Sequence, residues 1–524
     1  MTGETSVARA HWGVSVIGMD GSPIVSLNAG QLFQPASNAK LFTTAAAIAL
    51  LGPEKTSETR VVALETPEAS NTSPPAADST AAAHSLHGDL YLVGGGDANL
   101  SGRTLPYTPP ERAQINPVLL ADGAPATPPS VRDPLRSLAE LADQVAATGL
   151  TSVSGDVVGD DTLFPYDPYP SDWAIDDAVW GYGAPVSALT VNDNELPLTI
   201  SPGKSVGAPA IVALSSGISS TYYNIDVEVS TGPPKSANTV HVERGIGSRG
   251  LRVYGSIAVD AAPDIEEVAI ENPAEFAATA FKQLLEQRGV SVQGVARAKH
   301  LLPSDRRSFL EQTAEPLTLN EKPDDSVACG DLVRPAIRPN EHVLATHRSA
   351  ALGEDVVITD KLSLNLHAEL MLRTLGEVWT CRGTGAQGAR VLRSFLMNRV
   401  GIEPNDFVFY DGSGLSGDDL VTPRATTRLL QYATTQSWFA LWKQSLPIGG
   451  VEGSLAGRFR EPPLRAHVFA KTGTLGEARA LSGYLDCASG RTVIFSILVG
   501  NHTPGSTADR EAIDRIVAAI AKAN

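Results

Sequence analysis

Residues 35–52 constrain this chain more than any other stretch. Pro35-Ala36-Ser37-Asn38-Ala39-Lys40 opens into LFTTAAAIAL, whose Leu41, Ala45, Ile48 and Ala49 recur at helical spacing, and Gly52-Pro53 ends the run. Ser37 and Lys40 therefore lie one turn apart on one face of a helix that packs on a core. A serine hydroxyl needs an adjacent base to become a nucleophile, and a lysine amine serves if burial or a second cation keeps it neutral. Free N–H groups at the helix start could meet an oxyanion. The same two residues would also suit a helix cap beside a solvated charge. Ser201-Pro202-Gly203-Lys204 shows how easily such a spacing arises.

Residues 12–34 alternate apolar and polar around Asp20-Gly21, which predicts an antiparallel hairpin leading into that helix. The chain has 524 residues, enough for about three domains, and its 47 Gly and 36 Pro fit a loop-rich globular protein. A net charge of −17 without a basic patch argues against nucleic acid as a partner. Cys329, Cys381 and Cys487 are too scattered for a zinc site, and their odd number leaves at least one unpaired in a monomer. No apolar run approaches the roughly 18 residues of a membrane span, and MTGETSVARA lacks an apolar signal segment, so the chain is expected to be cytoplasmic or to have lost an export signal.

Between the helix and residue 340 the texture changes. Stretches 65–85 and 104–134 are rich in Pro, Ala, Ser and Thr and read as surface loops. His87–Val93 reads as a strand running into a triple glycine, where no Gly-Lys-Ser/Thr follows to make a phosphate loop. Residues 134–149 predict a helix, 155–160 a strand, and 210–258 several short strands. Asn272–Gly289 predicts an amphipathic helix with Phe276, Ala280 and Leu284 inward. From about 341 long helices and apolar strands take over. Ser363-Leu364-Asn365 stands before a buried helix, where an extended local chain would point Ser363 and Asn365 the same way. Val468–Thr474 reads as an edge strand carrying Lys471, with two apolar strands after it.

Ser37-x-x-Lys40, Ser363-x-Asn365 and Lys471-Thr472-Gly473, in that order, resemble the three motifs of the penicillin-recognising serine hydrolases. The first two lie 326 residues apart and the last two 108. An insertion of that size is similar to the class C low-molecular-mass penicillin-binding proteins, and GDLYLVGGGDANL, YGAPVSALTVNDN, YDGSGLS and LPIGGVEGSLAGRF extend the resemblance along the chain. It implies a multidomain α+β fold. Residues 1–62 and 341–524 would form the catalytic domain, an antiparallel sheet flanked by helices; 63–194 with 256–340 would form one accessory domain, and 195–255 a nested β-rich one.

The resemblance further implies a D-Ala-D-Ala carboxypeptidase, with endopeptidase activity open, that acts on peptidoglycan stem peptides in the periplasm or cell envelope and is inhibited covalently by β-lactams. It implies no metal or other cofactor, and leaves peripheral membrane association open. Ser37 would be the nucleophile, Lys40 the base, Ser363 a proton relay, Asn365 a ligand of substrate amide and Lys40, and Lys471 the cation across the cleft. Thr472, Gly473, Thr474 and Leu475 would line the substrate, and the N–H groups of Ser37 and Thr474 would form the oxyanion hole. In Trp173–Tyr182, Asp177 first and Asp176 second would receive a side-chain ammonium, walled by Tyr182. Relatives tend to carry a basic residue after Ser-Gly-Leu-Ser, whereas Gly417 follows here. A serine β-lactamase and a non-catalytic scaffold of the same fold are the alternatives.

Overall fold

A computed structural model describes residues 7–65, 83–109, 133–214, 222–319, 341–503 and 505–524. Most of the two loops expected over 65–85 and 104–134, together with Cys329, lies outside the described residues.

Opposite ends of the chain share one five-stranded sheet, in the order Val468–Thr474, Arg479–Asp486, Thr492–Gly500, His11–Gly18, Pro23–Leu27. Strand His11–Gly18 pairs antiparallel with Thr492–Gly500 along its whole length, from His11 opposite Gly500 to Gly18 opposite Val493. The hairpin that follows turns at Asp20-Gly21, where Gly21 takes φ 85° and Asp20 accepts the Ser22 N–H at 3.0 Å. Alternate residues of this sheet face opposite cores, as strand geometry requires. Ala480, Tyr484, Ile494 and Leu498 meet Phe42, Ala45 and Ala46 of the helix Ala39–Leu51. Leu481, Leu485, Phe495 and Ile497 meet Ile513, Val517 and Ile520 of the C-terminal helix Ala508–Ala523.

A second five-stranded sheet runs in the order Ala296–Leu301, Val157–Pro165, Gly88–Val93, Glu58–Glu65, Glu341–Arg348. Helices Arg136–Ala147 and Pro273–Gln287 pack with it, the latter capped by the Asn272 side chain on the Glu275 N–H. Smaller sheets, including 195–201 with 264–269 and 224–232 with 250–258, complete the inserted region.

Three expectations shift. Glu58–Glu65 and Glu341–Arg348 pair with each other in the inserted sheet, so the chain crosses near 52–57 and 349–351 rather than at 62/63 and 340/341. The nested β unit extends past 255, because 250–258 is one strand and 264–269 pairs with 195–201. Ser363 is not extended: at φ 63°, ψ 42° it ends the helix Leu352–Leu362, and Asn365 opens the helix Asn365–Thr380.

Candidate active site

Four elements converge on Ser37. It sits in the single turn Ala36–Asn38 and is partly exposed, while Lys40, one turn on, is fully buried. Lys40 Nζ lies 3.0 Å from Ser37 Oγ, 2.6 Å from Asn365 Oδ1 and 2.7 Å from the Ser413 carbonyl oxygen. Across the cleft, the buried Lys471 donates to Ser363 Oγ at 2.7 Å. The helix corner at 363–365 thus sends its serine to one lysine and its asparagine to the other, which an extended segment would not do. Gly473 lets the edge strand close on the nucleophile turn, because a Cβ there would stand 2.7 Å from the Pro35 carbonyl oxygen and 3.1 Å from the Ala36 Cβ. Asn38 ties the same two elements by donating to the Lys471 carbonyl at 2.9 Å.

Burial sets the protonation of both lysines. Lys40 is pushed down to about 8 by burial, which the carboxyls of Asp411, Glu369, Asp360 and Asp419 partly offset. Lys471 is pushed down to about 7 by burial and then by the charge of Lys40. Behind Lys40, burial and Asp411 raise Glu369 to about 8 and lift Asp419 well above the usual carboxylate range. Burial therefore brings the neutral form of the Lys40 amine within closer reach of neutral pH than in a solvated lysine.

Thr472 and Thr474 alternate along the edge strand, half-buried and exposed. Thr472 Oγ1 lies 2.7 Å from Ser454 Oγ, and Arg479 donates to Thr474 Oγ1 at 2.8 Å, bringing a guanidinium to the strand end. Leu475 begins the turn after it, its N–H on the Ala478 carbonyl. From the insertion, Asn365 Nδ2 donates to the Tyr182 carbonyl at 2.8 Å, and Tyr182 donates its hydroxyl to Asp177 at 2.8 Å. Burial raises the Asp177 carboxyl, an effect the Tyr182 bond opposes. Asp176 is exposed beside it.

The look-alike tetrad at 201–204 has a local role, with Ser201 ending a strand. Ser413, Asp411 and Ser454 are the site residues the motifs did not name. YDGSGLS contains the first two, but one acts through its carbonyl oxygen and the other is buried behind the lysine, so their residue types advertised nothing.

The D-Ala-D-Ala carboxypeptidase 3 (S13) family model matches residues 2–320 and 326–523. A D-alanyl-D-alanine carboxypeptidase of Actinomadura sp. (strain R39) is 32% identical over 505 residues, spanning 94% of this chain and 78% of that one. A D-alanyl-D-alanine carboxypeptidase of Haemophilus influenzae is 25% identical over 376 residues, 70% and 68% of the two chains. Among solved structures, penicillin binding protein 4 from Haemophilus influenzae aligns with a TM-score of 0.70 at 21% identity, over 95% of this chain and 92% of that one.

Proposed function

Because the chain belongs to the D-Ala-D-Ala carboxypeptidase 3 (S13) family, we propose that its serine D-alanyl-D-alanine carboxypeptidase activity trims stem peptides of peptidoglycan through an acyl-enzyme on Ser37. The observation that carries this reading is the contact of the buried Lys40 amine with the Ser37 hydroxyl at 3.0 Å. Lys40 accepts the hydroxyl proton as Ser37 attacks the carbonyl between the two D-alanines. The N–H groups of Ser37 and Thr474 hold the oxyanion, donors of a kind worth about 10²–10³ in rate each. Ser363, on Lys471, passes a proton to the departing D-alanine amine, and water then releases the shortened peptide. Lys471, Thr472, Thr474 and the nearby Arg479 favour a substrate ending in a carboxylate. Asp177 and Tyr182, with Asp176 beside them, receive the ammonium end of a stem-peptide side chain. β-Lactams acylate the same serine.

The sheet built from both chain ends, with its helices, is the catalytic domain, and the second sheet with its smaller β units makes up the accessory domains. Action outside the cytoplasm fits Cys381, which is disulfide-bonded. Among the described residues no helix is long and apolar enough to cross a membrane.

Fluorescent penicillin is expected to label the protein covalently and Ser37→Ala not at all, with the variant's melting temperature nearly unchanged. A label retained by Ser37→Ala on another residue rejects the assignment. A long-lived adduct marks a carboxypeptidase, whereas turnover within seconds would instead mark a β-lactamase.

A further inference from the structure

A neutral lysine amine has two N–H bonds and one lone pair, and three oxygens surround Lys40 Nζ. The Asn365 amide oxygen and the Ser413 carbonyl oxygen can only accept, so they take both hydrogens and leave the lone pair to the Ser37 hydroxyl. The aim of the base therefore depends on where the Ser413 carbonyl stands. Residues 411–416 form no helix or strand. One carboxylate organises them. Asp411, fully buried, accepts through Oδ1 from the N–H groups of Ser413 at 3.0 Å and Gly414 at 2.6 Å. Its Oδ2 accepts from the N–H groups of Leu415 and Ser416, each at 3.0 Å, and from Ser413 Oγ at 2.8 Å. The sixth donor comes from the insertion: Trp173 Nε1, at 2.8 Å from Oδ2.

We propose that Asp411 is a positioning residue for the general base, aiming the Ser413 carbonyl at Lys40 and supplying its counter-charge, with Trp173 as the donor through which the insertion moderates that charge. The proposal rests on Lys40 being the base. The charged and titratable groups around the lysine are Asp411, Glu369, Asp360, Asp419 and Lys471. Burial raises Glu369 to about 8 and lifts Asp419 well above the usual carboxylate range. Asp360, raised to about 6 by burial, is held by Ser445 and Thr44. Asp411 exerts the largest opposing influence on Lys40, and six donors converging on one carboxyl call for its ionised, acceptor-only form.

Two substitutions then act in opposite directions on one observable. In Asp411→Asn an amide N–H₂ meets backbone and indole N–H groups that only donate, so the loop loosens, and loss of the anion lets Lys40 shed its proton at lower pH. In Trp173→Phe the carboxylate loses a donor and keeps more of its charge for Lys40, so the amine holds its proton to higher pH.

The experiment is the second-order rate of acylation by benzylpenicillin across pH 5.5–9.5, in the full chain and both variants. Asp411→Asn is expected to lose about tenfold or more of the plateau rate, and its acid limb should move down by about one unit. The limb of Trp173→Phe should move up by a few tenths of a unit. Limbs that stay at the wild-type pH, or move the same way in both variants, overturn the proposal. If Asp411→Asn does not fold, Trp173→Phe decides alone: an upward shift supports the proposal, and no shift or a downward one ends it. Wild type without an acid limb would reject Lys40 as the base, and the proposal with it.

Discussion

At the scale of single residues, the site is a problem of keeping one amine uncharged. Burial pushes Lys40 down to about 8, and only a deprotonated amine could take a proton from Ser37. Acylation is therefore expected to fall about tenfold per pH unit below 8 and to level off above it. Lys40→Arg should lose at least about a hundredfold, since a guanidinium stays charged throughout this range. Near wild-type acylation by that variant would exclude Lys40 as the base. That Ser37, Lys40, Ser363, Asn365 and Lys471 would come together could be expected in advance because their motifs stand at fixed offsets in a fixed order. Asp411 could not: a carboxylate whose work is to accept backbone N–H groups resembles in sequence any of the 58 acidic residues of this chain.

Among the elements, the segment Trp173–Tyr182 joins the inserted modules to the chemistry twice, through Trp173 on Asp411 and through the Tyr182 carbonyl on Asn365. If Asp177 receives an ammonium, wild type should hydrolyse a peptide with a free side-chain amine faster than its N-acetylated twin. Asp177→Asn should lose most of that preference through KM, while penicillin acylation holds. Equal preference in both enzymes would leave the segment a structural role. Helices and strands were legible from periodicity, as the nucleophile helix shows. The corner at Ser363 was not, because its positive φ is set by packing between two helices rather than by a turn residue.

Across the whole molecule, the catalytic sheet and its insertion meet at a buried ionic cluster. His367, fully buried on the helix that begins with Asn365, lies 2.6 Å from Asp355 and 3.1 Å from Asp193, and Arg103 pairs with Asp193. Asp193 reaches it from three successive left-handed residues, Asn192, Asp193 and Asn194, a strained turn that the cluster holds in place. Burial lowers the affinity of His367 for its proton, but Asp355 and Asp193 outweigh it and raise the imidazole to about 9. The folded protein thus keeps a proton that the unfolded chain releases near 6.5. The resulting stability is complete below about 6.5 and is lost as pH rises to about 9, on the order of 3 kcal/mol. Wild type should therefore lose more melting temperature between pH 6 and pH 9.5 than His367→Gln does. Equal losses would show that the histidine is not charged in the fold.

That the two ends of the chain would share one sheet was legible from motif spacing, but the pairing of 58–65 with 341–348 was not. Strands 58–65 and 341–348 look alike on either side of any boundary until their pairing is seen. The pairing of His11–Gly18 with Thr492–Gly500 also sets an order of events during synthesis. The N-terminal strand must wait for a partner made more than 470 residues later, on the order of half a minute at ribosomal speed, while 58–348 already contains its own sheet partners. A chain ending at residue 490 should keep a protease-resistant core over that region yet take up no penicillin. An enzyme whose nucleophile turn is translated long before the strands it packs on stays inert until those strands arrive, so activity and completion of the sheet coincide.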